Sequence, residues 1–231
     1  MNEVLRQEKK FLISLDQYYK HSHALAQVML PDPNNGPEGY RIRSLYFDTL
    51  EDQDFEDKED GVELRRKIRL RCYDPTHDFA VLEMKQKQGA LQKKRSLRMR
   101  REDARHLTLG DYSPLLQYKE PFAAECYALM TCRCYRPKTV IDYRRKAFIA
   151  KENKIRVTFD HHITSTESHF DIFDPNLLQL PALDPYLAVL EVKFNGFLLS
   201  YIKDLLQQVS KSELSVSKYC LGRAVSKRYV F

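Results

Sequence analysis

The sequence predicts an α+β fold in which about eight antiparallel strands close into a barrel, with helices packed around its outside. Three observations predict it. At least five segments alternate at period two between an apolar face and a face carrying charges of both signs. The charged faces are rich in arginine and lysine with single glutamates interleaved, rather than in Ser, Thr and Gln. Amphipathic helical segments are at hand to cover the apolar faces. An ordinary sandwich that wets its outer faces would alternate as well, but charge inside and helices outside satisfy all three observations. The chain has 231 residues, enough for one such domain, expected to span 1–231.

In order, residues 8–13 alternate, with Glu8, Lys10 and Leu12 on one face and Lys9, Phe11 and Ile13 on the other. A helix follows: Ser14 caps it, Gln17 completes a capping box, and Leu15, Tyr18, Leu25, Val28 and Met29 supply an apolar stripe. Residues 31–39 form a turn-rich loop. Residues 40–49 read as a strand and the acidic residues 52–61 as a hairpin loop. In the next strand, residues 63–73, Arg65, Lys67, Arg69 and Arg71 share one face against Leu64, Arg66, Ile68 and Leu70. Four like charges side by side are unfavourable unless anions sit among them.

Residues 79–88 make a strand with Glu83, Lys85 and Lys87 opposite Ala80, Leu82 and Met84. Gly89 turns the chain into residues 91–101, where Lys94, Ser96, Arg98 and Arg100 share a face. Residues 102–107 and 121–132 read as helices, the second with Pro121 in its first turn. Strands return at 139–150, with Ile141, Tyr143, Arg145 and Ala147 on one side, and at 154–160, with Lys154, Arg156, Thr158 and Asp160 against Ile155, Val157 and Phe159. A loop with three prolines spans 171–185. Residues 187–194 set Glu191 and Lys193 against Ala188, Leu190, Val192 and Phe194. The C-terminal part is helical, with a stripe of Leu198, Ile202, Leu205, Leu206 and Val209 and a last helix over 217–225.

Composition narrows the chemistry. Hydrophobic content of 43% and charged content of 30% describe a globular chain. The net charge of +6 is modest, but its distribution points to an anionic partner. No apolar run is long enough for a membrane span, no signal-peptide core opens the chain, and five cysteines are an odd count. These features lead us to expect reduced thiols and a cytoplasmic location. Cys132 and Cys134 lack a second pair that would complete a zinc site. The seven histidines, His161 and His162 included, read as surface residues.

Cations gathered inside a barrel pay heavily for desolvation and need a polyanion. Arginine's fixed fork suits phosphate oxygens and lysine adds point charge. The interleaved glutamates fit a divalent ion, Mg²⁺ or Mn²⁺, shared between carboxylate and phosphate.

Eight short motifs then carry a resemblance: Arg6-Gln7-Glu8-Lys9-Lys10-Phe11, Ser44-Leu45-Tyr46-Phe47-Asp48-Thr49, Lys67-Ile68-Arg69-Leu70-Arg71-Cys72-Tyr73, Leu82-Glu83-Met84-Lys85, Tyr143-Arg144-Arg145, Ile155-Arg156-Val157-Thr158-Phe159-Asp160, Leu190-Glu191-Val192-Lys193-Phe194 and Ser217-Lys218-Tyr219. In that order they resemble the VTC-type polyphosphate polymerase domain of the triphosphate tunnel metalloenzyme superfamily, over nearly the whole chain. The resemblance implies an antiparallel tunnel barrel and an ATP-dependent, metal-dependent phosphotransferase that adds the γ-phosphate of ATP to inorganic polyphosphate. It implies Lys10, Lys85, Lys193 and Lys218, with Lys94 a looser match, as phosphate ligands. Arg69, Arg71, Arg145 and Arg156 would hold phosphate and stabilise charge in the transition state. Tyr143 and Ser217 would donate hydrogen bonds, and Glu191, assisted by Glu83, would hold Mn²⁺ or Mg²⁺. The broader superfamily opens with Glu-x-Glu-x-Lys, whereas here Arg6 takes the first place, a form similar to the polymerase branch.

Two other readings are weighed against polymerisation. One is a metal-dependent triphosphatase on the same fold, with water as acceptor and Glu8 or Glu83 orienting it. The other is a binding module for polyphosphate or RNA, which would need aromatics interleaved with the cations; most aromatics here fall on core faces or helices. No DNA partner is expected.

Overall fold

The computed structural model describes residues 6–89, 91–207 and 217–227. Among them the strands are β1 (Arg6–Ser14), β2 (Leu30–Pro31), β3 (Tyr40–Asp48), β4 (Leu64–Cys72), β5 (Phe79–Gln88), β6 (Leu91–Arg100), β7 (Arg136–Ala150), β8 (Ile155–Thr166), β9 (Leu180–Pro181) and β10 (Leu187–Asn195). The helices are α1 (Leu15–Val28), α2 (Gln53–Glu59), α3 (Arg101–Thr108), α4 (Pro121–Cys132), α5 (Ser200–Gln207) and α6 (Lys218–Lys227). The chain falls into two compact units. The first is Met1–Arg41, Tyr143–Thr164 and Pro181–Ser217; the second is Ile42–Asp142, Ser165–Leu180 and Lys218–Phe231.

In the first unit β1, β10, β8 and the C-terminal half of β7 are neighbours in that order. Lys10 stands opposite Glu191, which stands opposite Thr158; Glu8 stands opposite Lys193, which stands opposite Arg156. The alternation read from each strand is therefore in phase across the unit. Its core gathers Ile13, Phe148, Val157, Phe159, Leu190 and Val192 beneath Tyr18 and Leu25 of α1. The Ser14–Gln17 capping box that starts α1 is present in both directions, each bond at 3.2 Å. Val28 is exposed rather than part of the stripe, while Met29 just beyond the helix is buried. Val209 lies outside the described residues.

In the second unit the order is the N-terminal half of β7, then β3, β4, β5 and β6. Leu45, Phe47, Ile68, Leu70, Leu82 and Met84 form a core closed by Leu107 of α3 and by Cys126 and Met130 of α4. Residues 52–61 differ from the expected loop, because Gln53–Glu59 is helical. The cause lies upstream of the segment. The Asp48 carboxylate accepts the Asp54 and Phe55 amides at 2.8 and 2.9 Å, and Thr49 Oγ1 accepts that of Gln53 at 3.0 Å. Those are the donors a helix N-terminus leaves unsatisfied, and the negative charge suits that end of the dipole.

The hydrogen-bonded strand order ends on β1 at one side and β6 at the other. Among the described residues the expected antiparallel strands and covering helices are present, and no hydrogen-bonded ladder joins β1 to β6. β6 has the features of a managed edge: Lys93, Lys94, Arg95, Arg98 and Arg100 make it a poor template for further pairing.

Candidate functional site

Two charged faces lie opposite the two cores. In the second unit the register sets out three rungs across β4, β5 and β6: Lys67–Lys85–Lys94, Arg69–Glu83–Ser96 and Arg71–Val81–Arg98. β3 extends two of them, with Tyr46 opposite Arg69 and Ser44 opposite Arg71. Six cations thus share adjoining rungs with one carboxylate.

That carboxylate, Glu83, is 5% exposed. Arg69 Nε donates to its Oε2 at 2.6 Å, Arg71 Nη2 stands 3.6 Å from the same oxygen, and Lys94 Nζ contacts Oε1. Burial alone would raise its pKa, but Arg69, Arg71 and Lys94 together outweigh burial and hold it at about 2. Arg69 Nη1 also donates to the Tyr46 hydroxyl at 3.2 Å. Burial would raise the Tyr46 phenol too, yet Arg69 and Lys67 lower it. Tyr219 of α6 stacks on the Tyr46 ring at 5.3 Å and donates to Asp48 Oδ2 at 2.5 Å. Lys67 Nζ lies 5.6 Å from the Tyr219 ring.

Arg71 is the informative member. It is 7% exposed, and its buried Nε donates to nothing among the described residues. Across the rung the Ser44 hydroxyl is fully buried and also lacks a partner among the described residues. Buried donors left unsatisfied cost about 1–3 kcal/mol each, so two of them side by side on a cationic face mark a place for an acceptor.

The first unit's face is arranged differently. Lys10 Nζ lies 2.8 Å from Glu8 Oε1, and Lys193 Nζ contacts Glu191 and lies 3.9 Å from Glu8 Oε2. Arg145 forks onto buried Asp160 through Nε and Nη2 at 2.6 and 2.8 Å. Its guanidinium lies 5.5 Å from the ring of Tyr143, which is 2% exposed. Burial opposes the Arg145 charge, but Asp160 and then Tyr143 raise its pKa further still. Arg156 Nη2 donates to Asp32 Oδ2 at 2.7 Å and to the Tyr40 hydroxyl at 3.0 Å. Here each cation has a carboxylate within the unit.

The structure therefore brings Arg69, Arg71, Lys85, Lys94 and Glu83 together on one face of the second unit, which also holds Lys218 at the start of α6. Lys10, Tyr143, Arg145, Arg156, Glu191 and Lys193 belong to the first unit, as does Ser217. Sequence reasoning finds Asp160 on the charged face with Arg156 and Thr158 but misses Ser44, Tyr46 and Asp32 as parts of these faces; Ser44 and Tyr46 share a parity on β3, and that shared phase is the available signal. His161 is a correction: it is fully buried, 4.7 Å from the Tyr18 ring and 2.7 Å from the Nδ1 of His162. Burial first, then His162, lowers its pKa to about 4, so it sits neutral in the core at ordinary pH.

Comparison with known proteins follows from this geometry. The sequence profile of the VTC domain family matches residues 5–227. A proposed adenylate cyclase from Bacillus halodurans is similar in structure at 12% identity and a TM-score of 0.55, over 94% of this chain and 96% of that one. The Hippeastrum protein HpAC1, a proposed adenylyl cyclase described as having a dominant triphosphatase activity, is similar at 14% identity and a TM-score of 0.54, over 94% of this chain and 95% of that one. At these identities the likeness is one of fold. No curated protein matches the chain.

Proposed function

The chain belongs to the VTC domain family, and on that premise we propose that it is a phosphotransferase that moves the γ-phosphoryl group of ATP onto a growing inorganic polyphosphate chain. The observation that carries this reading is the pair of buried donors on β3–β4, Arg71 Nε and Ser44 Oγ, which find no partner among the described residues, on a face whose three rungs hold six cations and one carboxylate. A condensed phosphate supplies the acceptors those donors lack and negative charge beside the cations.

Phosphoryl transfer asks a protein mainly to position reactants and neutralise charge. Lys67, Lys85 and Lys94 form a row of ammonium groups along which a phosphate chain lies. Arg69 and Arg71 present guanidinium forks one and two rungs further on, and these forks together with the ammonium row offset the negative charge that grows in the transition state. Glu83 holds those forks and Lys94 in place while the face is empty of phosphate. No covalent intermediate is required.

A divalent ion fits one of the two expected carboxylates better than the other. Both oxygens of Glu83 are already shared among three cations, which leaves a poor ligand. Glu191 is buried, carries hard oxygen donors, stands on a rung with Lys10 and Thr158 and contacts Lys193. One carboxylate plus phosphate oxygens is an ordinary way to hold Mg²⁺ or Mn²⁺. Held by Glu191, such an ion would supply positive charge against phosphate.

The test is product analysis. Incubation with ATP and Mn²⁺ is expected to give ADP and acid-stable long-chain phosphate, reduced at least tenfold by Arg71→Ala. Release of orthophosphate with no polymer would replace this reading with a triphosphatase.

A further inference from the structure

At the Arg71 end of the cationic face the residue types change. Two positions along β5 from Val81, about 7 Å at strand spacing, stands Phe79, opposite Arg100. The Arg98 guanidinium lies 3.7 Å from the centre of the Phe79 ring. The His77 imidazole lies nearly parallel to that ring, at 11° and 5.2 Å between centres. Tyr73 completes the group: it is 37% exposed and its ring is 5.9 Å from the Arg71 guanidinium. Elsewhere on the three rungs of β4–β6 no aromatic occurs.

Structural demands do not account for Arg98. Its neighbour Arg100 is spent on Asp103, with Nε to Oδ2 at 3.0 Å. Arg98 is exposed and pairs with no carboxylate among the described residues. A flat cation resting on an aromatic ring, exposed at the end of a row of phosphate-binding groups, is a surface for a planar, electron-rich ring. The turn that carries it is held in shape: Asp74 Oδ1 accepts the Thr76 amide at 2.8 Å, and the Arg101 amide donates to Asp78 at 2.7 Å.

We propose that Phe79, Arg98 and Tyr73 form the nucleoside subsite of the second unit's face, with the purine stacked on this cluster and the triphosphate running from Arg71 toward Lys67, Lys85 and Lys94. The inference rests on the reading that this face binds a triphosphate, and adds where the base lies and in which direction the nucleotide is held. Phe79 lies two positions, about 7 Å, beyond the rung of Arg71 and Arg98, which leaves room for the ribose between the α-phosphate and the base.

Isothermal titration with ATP, UTP and inorganic tripolyphosphate separates the two claims. For the wild type, ATP is expected to bind more tightly than UTP, since a purine stacks over a larger area. Phe79→Leu keeps apolar bulk but removes the ring, and is expected to weaken ATP roughly tenfold, the scale of one lost stacking contact, with tripolyphosphate unchanged within twofold. Arg98→Gln, which also removes one cation from the face, is expected to weaken ATP more than it weakens tripolyphosphate; for Phe79→Leu, which removes no charge, the two ligands separate fully. Circular dichroism and melting of both variants confirm that the fold is kept. Equal weakening of ATP and tripolyphosphate, or no weakening of either, overturns the subsite while leaving triphosphate binding intact. A wild-type protein that binds neither ligand overturns both.

Discussion

Glu83→Gln is the sharpest probe of the cationic face. The folded protein holds the Glu83 carboxyl at about 2, against an ordinary 4.5, through Arg69, Arg71 and Lys94. That depression of roughly 2.5 pKa units corresponds to about 3 kcal/mol of favourable interaction with the ionised form. Because the folded value is the lower one, this stability is fully present above the unfolded value of 4.5 and is lost as pH falls through 2. The glutamine variant lacks it throughout. At pH 7 its melting temperature is expected to fall by roughly 6–12 °C, at about 2–4 °C per kcal/mol for a chain of this size. The gap between the two proteins should narrow as the pH is lowered from 4.5 toward 2.

The variant also leaves three cations without the anion that holds them. Tripolyphosphate is then expected to raise its melting temperature more than that of the wild type, since binding to the folded state alone stabilises in proportion to affinity. The assay is a thermal melt by circular dichroism from pH 2 to 7, with and without tripolyphosphate. Superimposed wild-type and variant melts across that range would refute the placement of Glu83 among three cations. Equal rises on adding tripolyphosphate would refute the idea that phosphate takes over its partners.

Ser44→Ala removes a buried hydroxyl that has no partner among the described residues; it is expected to leave stability unchanged or raise it by up to about 1 kcal/mol, while weakening tripolyphosphate binding severalfold by titration. Asp54 responds to pH with the opposite sign to Glu83: burial first, then Asp48, raises its pKa to about 7, so its contribution is present below the unfolded value of 3.8 and is lost as pH rises through 7. Asp54→Asn is accordingly expected to gain stability relative to the wild type on going from pH 4 to pH 8, up to roughly 4 kcal/mol, read by denaturant melts at the two pH values. Glu191→Gln is expected to shift the Mn²⁺ dependence of turnover to at least tenfold higher metal, with tripolyphosphate binding measured without metal changed less than threefold.

Elements whose signals are local were legible from the sequence. β5 and α4 fall on the residues expected, because Gly89 ends one and Pro121 starts the other. Period-two alternation also put Arg69, Arg71, Glu83, Lys85 and Lys94 on the correct faces of their strands, and pairing of in-phase strands then had to bring them together. What depends on distant residues was hidden. α2 is capped by Asp48 from outside the acidic segment, and whether β1 and β6 pair is a matter of which edges meet, which no single strand encodes. Asp32 belongs to a charged face only because the loop path brings it to Arg156, and the partner of Asp160, Arg145, is set by which strands become neighbours. His161 continues the apolar phase of Ile155, Val157 and Phe159 and packs against Tyr18 of α1, so the alternation carried one residue past Asp160 already places it in the core.

The two charged faces also answer differently to an incoming polyanion. On the first unit's face Lys10, Lys193, Arg145 and Arg156 meet Glu8, Glu191, Asp160 and Asp32, four against four. Phosphate arriving there must displace carboxylates that are already well placed, and the gain is the difference between two similar contacts. The three rungs of β4–β6 hold six cations and one carboxylate, and phosphate arriving there satisfies the Arg71 and Ser44 donors, which have no partner among the described residues. On the proposed function, we expect the second unit's face to contribute more of the affinity for condensed phosphate, and a ligand reaching the first unit's face to need enough charge, or a metal ion, to compensate the carboxylates it displaces. Charge-neutralising substitutions should obey the same asymmetry, with Lys85→Met costing more tripolyphosphate affinity than Lys10→Met.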